Sequence, residues 1–355
     1  MMAAPAYDAL VLVSFGGPER PEDVMPFLEV VTRGRGVPRA RLASVAEHYH
    51  RLGGRSPLND QNRALIAALG ADLAAHGIDL PIFFGNRNWH PLLADTVAEM
   101  KRAGVRRALA FVTSAYSSYS GCRQYLEDIA RARAAVAAAP VIEPLRRFFN
   151  HPDFVAAVSD RVRTAWTRLR AGLPGPAGDA ARLVFTAHSV PRAMADGCTY
   201  ERELRTTAAL VAERLGHGHW DLVWQSRSGP AEVPWLEPDV LDHVRALGAQ
   251  GVPGIVLAPI GFLSDHVEVL YDLDVEARGL CAALGLPMVR AATVGTHPRF
   301  VACIRELVRE RLEGAPALSV GPLPPSPDVC APDCCPAPGR STTGTDQPAA
   351  KEELR

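Results

Sequence analysis

A chain of 355 residues is too long for one ordinary hydrophobic core and suits two domains of about 150 residues each. Charged residues make up 22%, and 38 Lys and Arg against 39 Asp and Glu leave a net charge of −1, which gives no electrostatic case for nucleic acid. No apolar run approaches the roughly 20 residues that span a bilayer and no secretory signal opens the chain, so a cytoplasmic protein is expected, with cysteines reduced, metal-bound or buried.

Strand candidates alternate with helical patterns along most of the chain. Ala9 to Phe15 is almost continuously apolar, and Pro81 to Phe84 and Ala108 to Thr113 follow in the first half. The second half offers Arg182 to Ala187, Asp221 to Trp224, Gly254 to Ile260 and Met288 to Thr293. Strands this short and apolar suit parallel sheets covered on both faces. Amphipathic helices lie between them. One carries Phe154, Val155, Val158, Val162, Trp166 and Leu169 after the start signal Asn150 to Asp153, and another carries Phe300, Ile304, Leu307, Val308 and Leu312 after Pro298. The alternation predicts an α/β protein of two similar, doubly wound, Rossmann-like halves, 1–145 and 146–314, with parallel sheets and a cleft between them. Beyond residue 314, Pro, Gly, Ser and Thr dominate and apolar periodicity stops. The tail 315–355 is expected to be mostly disordered unless its cysteines tie it down.

The segment SDHVEVLYDLDVE, Ser264 to Glu276, repeats carboxylates at Glu268, Asp272 and Glu276, with Asp265 three residues ahead. On an α-helix these share one face, opposite Val269, Leu270, Leu273 and Ala277. Like charges so placed repel. A hard cation gives a reason to tolerate them; a solvated acidic face is the plainer account. His188 ends the strand-like RLVFTAH just before a proline. That position is where open α/β sheets bind ligands, and an imidazole there can exchange protons near neutrality.

Three tail cysteines, Cys330, Cys334 and Cys335, have no core to pack in and are too few for a four-cysteine site. Cys122, in SSYSGCR, is the preferred fourth ligand, and Cys198 an alternative. A [2Fe–2S] cluster is favoured over zinc, with incidental free thiols the plain alternative. Cys281 and Cys303 fit small buried hydrophobes. Neither glycine-rich turn, FGGP or LGGRS, has nucleotide-binding spacing. The segments Tyr49 to Leu58 and Tyr116 to Tyr125 combine tyrosines, serines and arginines suited to a flat acidic ligand.

VSFGGP, GGRSPL, FGNRNWHP, FTAHSVP, WQSRSGP, PWLEP and PIGFLSDHVEVLYDLD together resemble the ferrochelatases, most closely the actinobacterial, coproporphyrin-using branch, from near the N-terminus to about residue 312. The resemblance implies the two-domain chelatase fold and insertion of Fe²⁺ into a porphyrin, coproporphyrin III foremost, in haem biosynthesis. It implies His188 and Glu268 as the catalytic and iron-binding pair, with Asp272 and Glu276 behind them as a path for metal or protons. Tyr49, Ser56, Tyr125 and, less closely, Arg33 match porphyrin-contacting positions. Phe15 stands where some relatives place an iron-reaching tyrosine, and the tail cysteines fit cluster-bearing members. Protoporphyrin IX as substrate, cobalt insertion into a sirohydrochlorin-type ring, and a non-enzymatic haem or porphyrin carrier are the alternatives. A monomer is expected, and the iron donor is left open.

Overall fold

The computed structural model describes residues 7–337, apart from 35, 230 and 231. Strands β1 (Ala9–Ser14), β2 (Ile82–Asn86), β3 (Arg107–Val112) and β4 (Val141–Pro144) form one parallel sheet in the order β2-β1-β3-β4. Strands β5 (Arg182–His188), β6 (Trp220–Gln225), β7 (Ile255–Ala258) and β8 (Met288–Arg290) form a second with the equivalent order, β6-β5-β7-β8. All six residues of β1 and all four of β7 are buried. Their unbroken apolar runs follow from helices covering both faces. Val141–Pro144 escapes the sequence reading because it is a four-residue edge strand that ends on proline, where a lost N–H costs no ladder bond.

The repeated topology sets equivalent positions side by side. At the ends of the central strands, His188 pairs in register with Gln225, and Ser14 with Asn86. The titratable group is therefore confined to the second half. The halves are also joined by a common core. Phe111 of β3 stacks on Phe148 at 5.5 Å, Phe148 meets Phe154 edge-on at 5.3 Å, and Phe300 from the helix Pro298–Glu313 lies 5.9 Å from Phe148. Such offset and edge contacts add to the burial of large apolar rings.

The helix Pro152–Ala171 buries the predicted stripe from Phe154 to Leu169. It begins where His151 Nδ1 accepts the Asp153 N–H at 3.2 Å. Burial holds the His151 imidazole down to about 4, so this cap stays neutral across the working range.

The tail runs back along the body without regular structure to residue 337. Arg146 Nη2 donates to Leu318 O at 2.9 Å, and Asn150 Nδ2 to Leu323 O at 2.8 Å, while Val320 N donates to Asn150 O at 2.9 Å. Buried polar groups of the body thus pair with the backbone of the tail within 315–337. Residues 338–355 lie outside the described residues.

Candidate active site

His188 is delivered by the last position of β5. Its Nδ1 faces the Ser189 carbonyl, and the Tyr200 hydroxyl donates to the His188 carbonyl at 3.0 Å. A carbonyl can only accept, so in the neutral ring Nδ1 carries the proton and Nε2 presents a lone pair. Nε2 stands 3.7 Å from Glu268 Oε2. Two acceptors at that separation share no hydrogen bond, and a cation or an added proton is what such a gap accommodates. His266 Nδ1 lies 3.9 Å from the same Glu268 oxygen. Burial lowers the His266 pKa, so this second imidazole is kept neutral beside the carboxylate.

The acidic segment is not the uniform α-helix expected. A single α-turn, Val267–Val269, leads into a π-helix, Leu270–Ala277. Its i→i+5 bonding places more than four residues in a turn, so residues four apart fall just short of a full turn rather than just past it. Glu268, Asp272 and Glu276 therefore still follow one side, while Val269, Leu273 and Ala277 are fully buried. Asp265 precedes the helix and leaves the stripe: its carboxylate binds Arg290 Nη1 at 3.1 Å, and its backbone N–H donates to Gln61 Oε1 of the first half at 2.9 Å.

Asp272 receives the Ser226 hydroxyl and, at 3.1 Å, Gln225 Nε2. Burial raises its pKa to about 7, the Ser226 bond opposes this, and the Glu268 charge adds to it. Ser226 adopts a left-handed φ of 61°, the kind of backbone cost retained at functional sites. Burial, then the Asp239 charge, also raises Glu276. Asp272 is thus a half-protonated acid behind Glu268 at neutral pH.

One prediction concerns this acid. Because its folded pKa lies above the unfolded value near 3.9, the native state binds the extra proton between pH 4 and 7, and stability falls as pH rises through that window. Asp272→Asn should remove that slope and stabilise the chain above pH 7 by about 2 kcal/mol, roughly half of the full linkage value because the side chain keeps some solvent. Urea titrations at pH 5 and 8 check this; equal gains at both would contradict it.

The first half supplies the facing wall. Tyr49, on the helix Arg39–Arg51, packs edge-on to Phe27 at 6.0 Å, and burial, then the Glu268 charge, raises its pKa. Its phenol therefore stays protonated close to Glu268. On the same helix His48 stacks on Tyr271 at 3.7 Å, and Arg51 Nη1 approaches the Tyr271 hydroxyl at 3.4 Å. Phe15, 38% exposed after β1, lies under the Arg87 guanidinium at 5.7 Å. The ring of Tyr125 is buried and covered by the same guanidinium at 4.4 Å. Ser56 is buried where the two glycine-rich turns meet: its N–H donates to Pro18 O at 2.8 Å, and a Cβ on Gly17 would stand 2.7 Å from the Ser56 Cβ. Arg33 is exposed just beyond the helix Val24–Val31. Tyr116, grouped in the sequence with ligand-facing tyrosines, is instead structural: it is buried, and its hydroxyl donates to Ile260 O at 3.0 Å.

The cysteines converge away from this row. Cys122 is held well below an ordinary thiol, first by the Cys330 thiol and then by Cys335. Cys198, left as an alternative by the sequence, is drawn down by Cys335. Cys330 and Cys335 are correspondingly raised, as donors to these acceptors. Cys334 Sγ lies 3.6 Å from Cys335 Sγ. Five thiols thus gather from two core segments and the tail, and all are free. Among the described residues no group of three His, Cys, Asp or Glu side chains is closed tightly enough to hold a metal ion. Cys281 and Cys303 are buried apart, as expected.

Solved structures of similar shape include SirB of Bacillus subtilis with Fe³⁺, at a TM-score of 0.55 and 15% identity over 87% of this chain and 98% of that one. That likeness establishes the two-sheet fold. A coproporphyrin III ferrochelatase of Nocardia farcinica is 56% identical over 90% of this chain and 92% of its own, and one of Streptomyces coelicolor 50% identical over 99% of both. A ferrochelatase of Rhodopirellula baltica is 54% identical over 94% of this chain and 95% of its own. The ferrochelatase family profile matches residues 7–312, a span that contains both sheets, His188 and the whole acidic row. The chain belongs to the ferrochelatase family, enzymes that insert iron into a porphyrin.

Proposed function

We propose that the protein inserts Fe²⁺ into coproporphyrin III, and that His188 and Glu268 are the groups that do so. The carrying observation is the His188 Nε2 to Glu268 Oε2 separation of 3.7 Å, with the Nε2 lone pair fixed by the Nδ1 contact. An imidazole and a carboxylate oxygen, each about 2 Å from a divalent ion, can span that gap while leaving the rest of its coordination shell for water and then for pyrrole nitrogens. Two protein donors are fewer than a resident metal site uses, which suits an ion that must be passed on.

Metal entry displaces two pyrrole protons. With Nδ1 already protonated, His188 can accept one at Nε2, and Glu268 is the neighbouring acceptor. Asp272, near its own midpoint at neutral pH, is suited to take charge or protons from Glu268 onward. Tyr49, Phe15 and the Arg87–Tyr125 pair supply flat apolar and aromatic surface for the ring. Phe15 offers no donor atom, so iron gains no axial ligand from that side chain. A reducing cytoplasm suits seven free cysteines.

Coproporphyrin III carries more propionates than protoporphyrin IX. Support for it comes from the names of the Nocardia and Streptomyces relatives and from the exposed Arg33 and Arg55 of the first half. The test is fluorescence titration with each metal-free porphyrin at low and high salt. Tighter, salt-sensitive binding of coproporphyrin III is expected; equal affinities with no salt effect would refute the substrate assignment.

The same reading gives the cysteines a [2Fe–2S] cluster, whose ligands would be four thiolates drawn from Cys122, Cys198, Cys330, Cys334 and Cys335. The chemistry a bound cluster supplies is one-electron redox and a covalent tie between tail and body. Cys335, which interacts with Cys122, Cys198 and Cys334, is the hub. Cys335→Ser should abolish the visible absorbance of anaerobically purified protein, and an unchanged spectrum would remove Cys335 from the ligand set.

A further inference from the structure

Arg123 immediately follows Cys122 in the π-helix Tyr119–Arg123. Its guanidinium reaches the tail and donates to three carbonyls of the cysteine loop. Nη2 reaches Ala331 O at 2.9 Å, Pro332 O at 2.8 Å and Cys334 O at 2.8 Å, and Nε reaches Cys334 O at 3.1 Å. The loop curls to meet it, with Cys334 N donating to Ala331 O at 3.0 Å and Cys335 at a left-handed φ of 52°. A non-glycine residue in that region costs of order 1 kcal/mol or more and persists when its surroundings over-determine it. The platform beneath Arg123 is equally fixed. The Ser118 hydroxyl caps the Gly121 N–H at 2.8 Å, and a side chain at Gly121 would meet Ser114 Oγ at 2.7 Å.

We propose that Arg123 is a positioning residue of the cysteine site: its fork closes the Cys330–Cys335 loop onto the turn bearing Cys122, so that tail and core thiols can bind one metal centre. A planar guanidinium holds its Nε and Nη2 donors in a rigid fork that matches the three carbonyls, whereas the three donors of a lysine ammonium sit on a flexible stem and are not held in place. The proposal rests on reading the five cysteines as a metal site, and its test separates the two.

The reduced, metal-free full-length chain is titrated anaerobically with Cd²⁺, following the ultraviolet thiolate-to-cadmium band, which reports both affinity and the number of sulfurs bound. Wild type is expected to bind through tail and core thiolates. Arg123→Met is expected to bind at least tenfold more weakly, with a smaller band per ion, and Arg123→Lys to fall between. Circular dichroism establishes that each variant is folded, and Arg123→Lys decides if Arg123→Met is not. Variants matching wild type in affinity and band would overturn the proposal, as would a wild type showing no thiolate band. A wild type that binds Cd²⁺ in this way but forms no visible chromophore with Fe³⁺ and sulfide would sink the iron–sulfur assignment while leaving the role of Arg123 intact.

Discussion

Glu268→Gln should lose metal insertion by about a thousandfold in kcat while binding metal-free porphyrin within about threefold of wild type. The substitution keeps the shape and removes the charge, so the His188–Glu268 gap no longer attracts a divalent ion and the amide accepts no proton at working pH. General acid–base contributions of this kind lie at about 10²–10⁴ in rate, and loss of a metal-binding carboxylate adds to that. His188→Ala should act in the same direction. If the proposed shared ion sits between them, the two together should cost little more than either alone, because residues acting as a unit are not additive. Single-turnover spectra of a preformed porphyrin complex given Fe²⁺ separate binding from insertion. A variant that binds porphyrin normally and still metallates it at the wild-type rate would refute the assignment.

Arg146→Met should destabilise the fold by about 3–5 kcal/mol. Arg146 and Glu310 form a bidentate pair, Nε to Oε2 and Nη2 to Oε1 both at 2.7 Å, with only 2% and 8% of the side chains exposed. The pair ties the segment after β4 to the C-terminal helix, and Arg146 also holds the Leu318 carbonyl of the tail. Removing the cation leaves a buried carboxylate without its partner, which costs more than the pair contributes over an apolar equivalent. The double variant Arg146→Met, Glu310→Leu should therefore recover most of the loss. Urea unfolding of both variants tests this, and a single variant within 1 kcal/mol of wild type would contradict it.

The fold was legible wherever burial on two faces forced continuous apolar runs, as in Ala9 to Phe15 and Gly254 to Ile260. Val141–Pro144 was not, because an edge strand of four residues leaves too little pattern. The pairing of His188 with Glu268 needed both motifs and the resemblance, since nothing local to either residue reports on the other. The i+4 repeat of carboxylates was visible, but not the π-helix, because a four-residue spacing lies near one face in either helix. Asp265 was misplaced for a related reason: charge periodicity does not mark where a helix begins, and the salt bridge to Arg290 is a long-range event. Cys198 illustrates the same limit. Its approach to Cys335 depends on how the tail folds back, which Asn150, Arg146 and Arg123 decide from far away in sequence.

The most direct measurement is anaerobic turnover with Fe²⁺, offering coproporphyrin III and protoporphyrin IX separately to the full-length protein and following loss of each free-base spectrum. Faster metallation of coproporphyrin III by wild type, abolished in Glu268→Gln, is the expected result. Tight binding of both porphyrins with metallation of neither, or turnover indifferent to Glu268, would contradict the account.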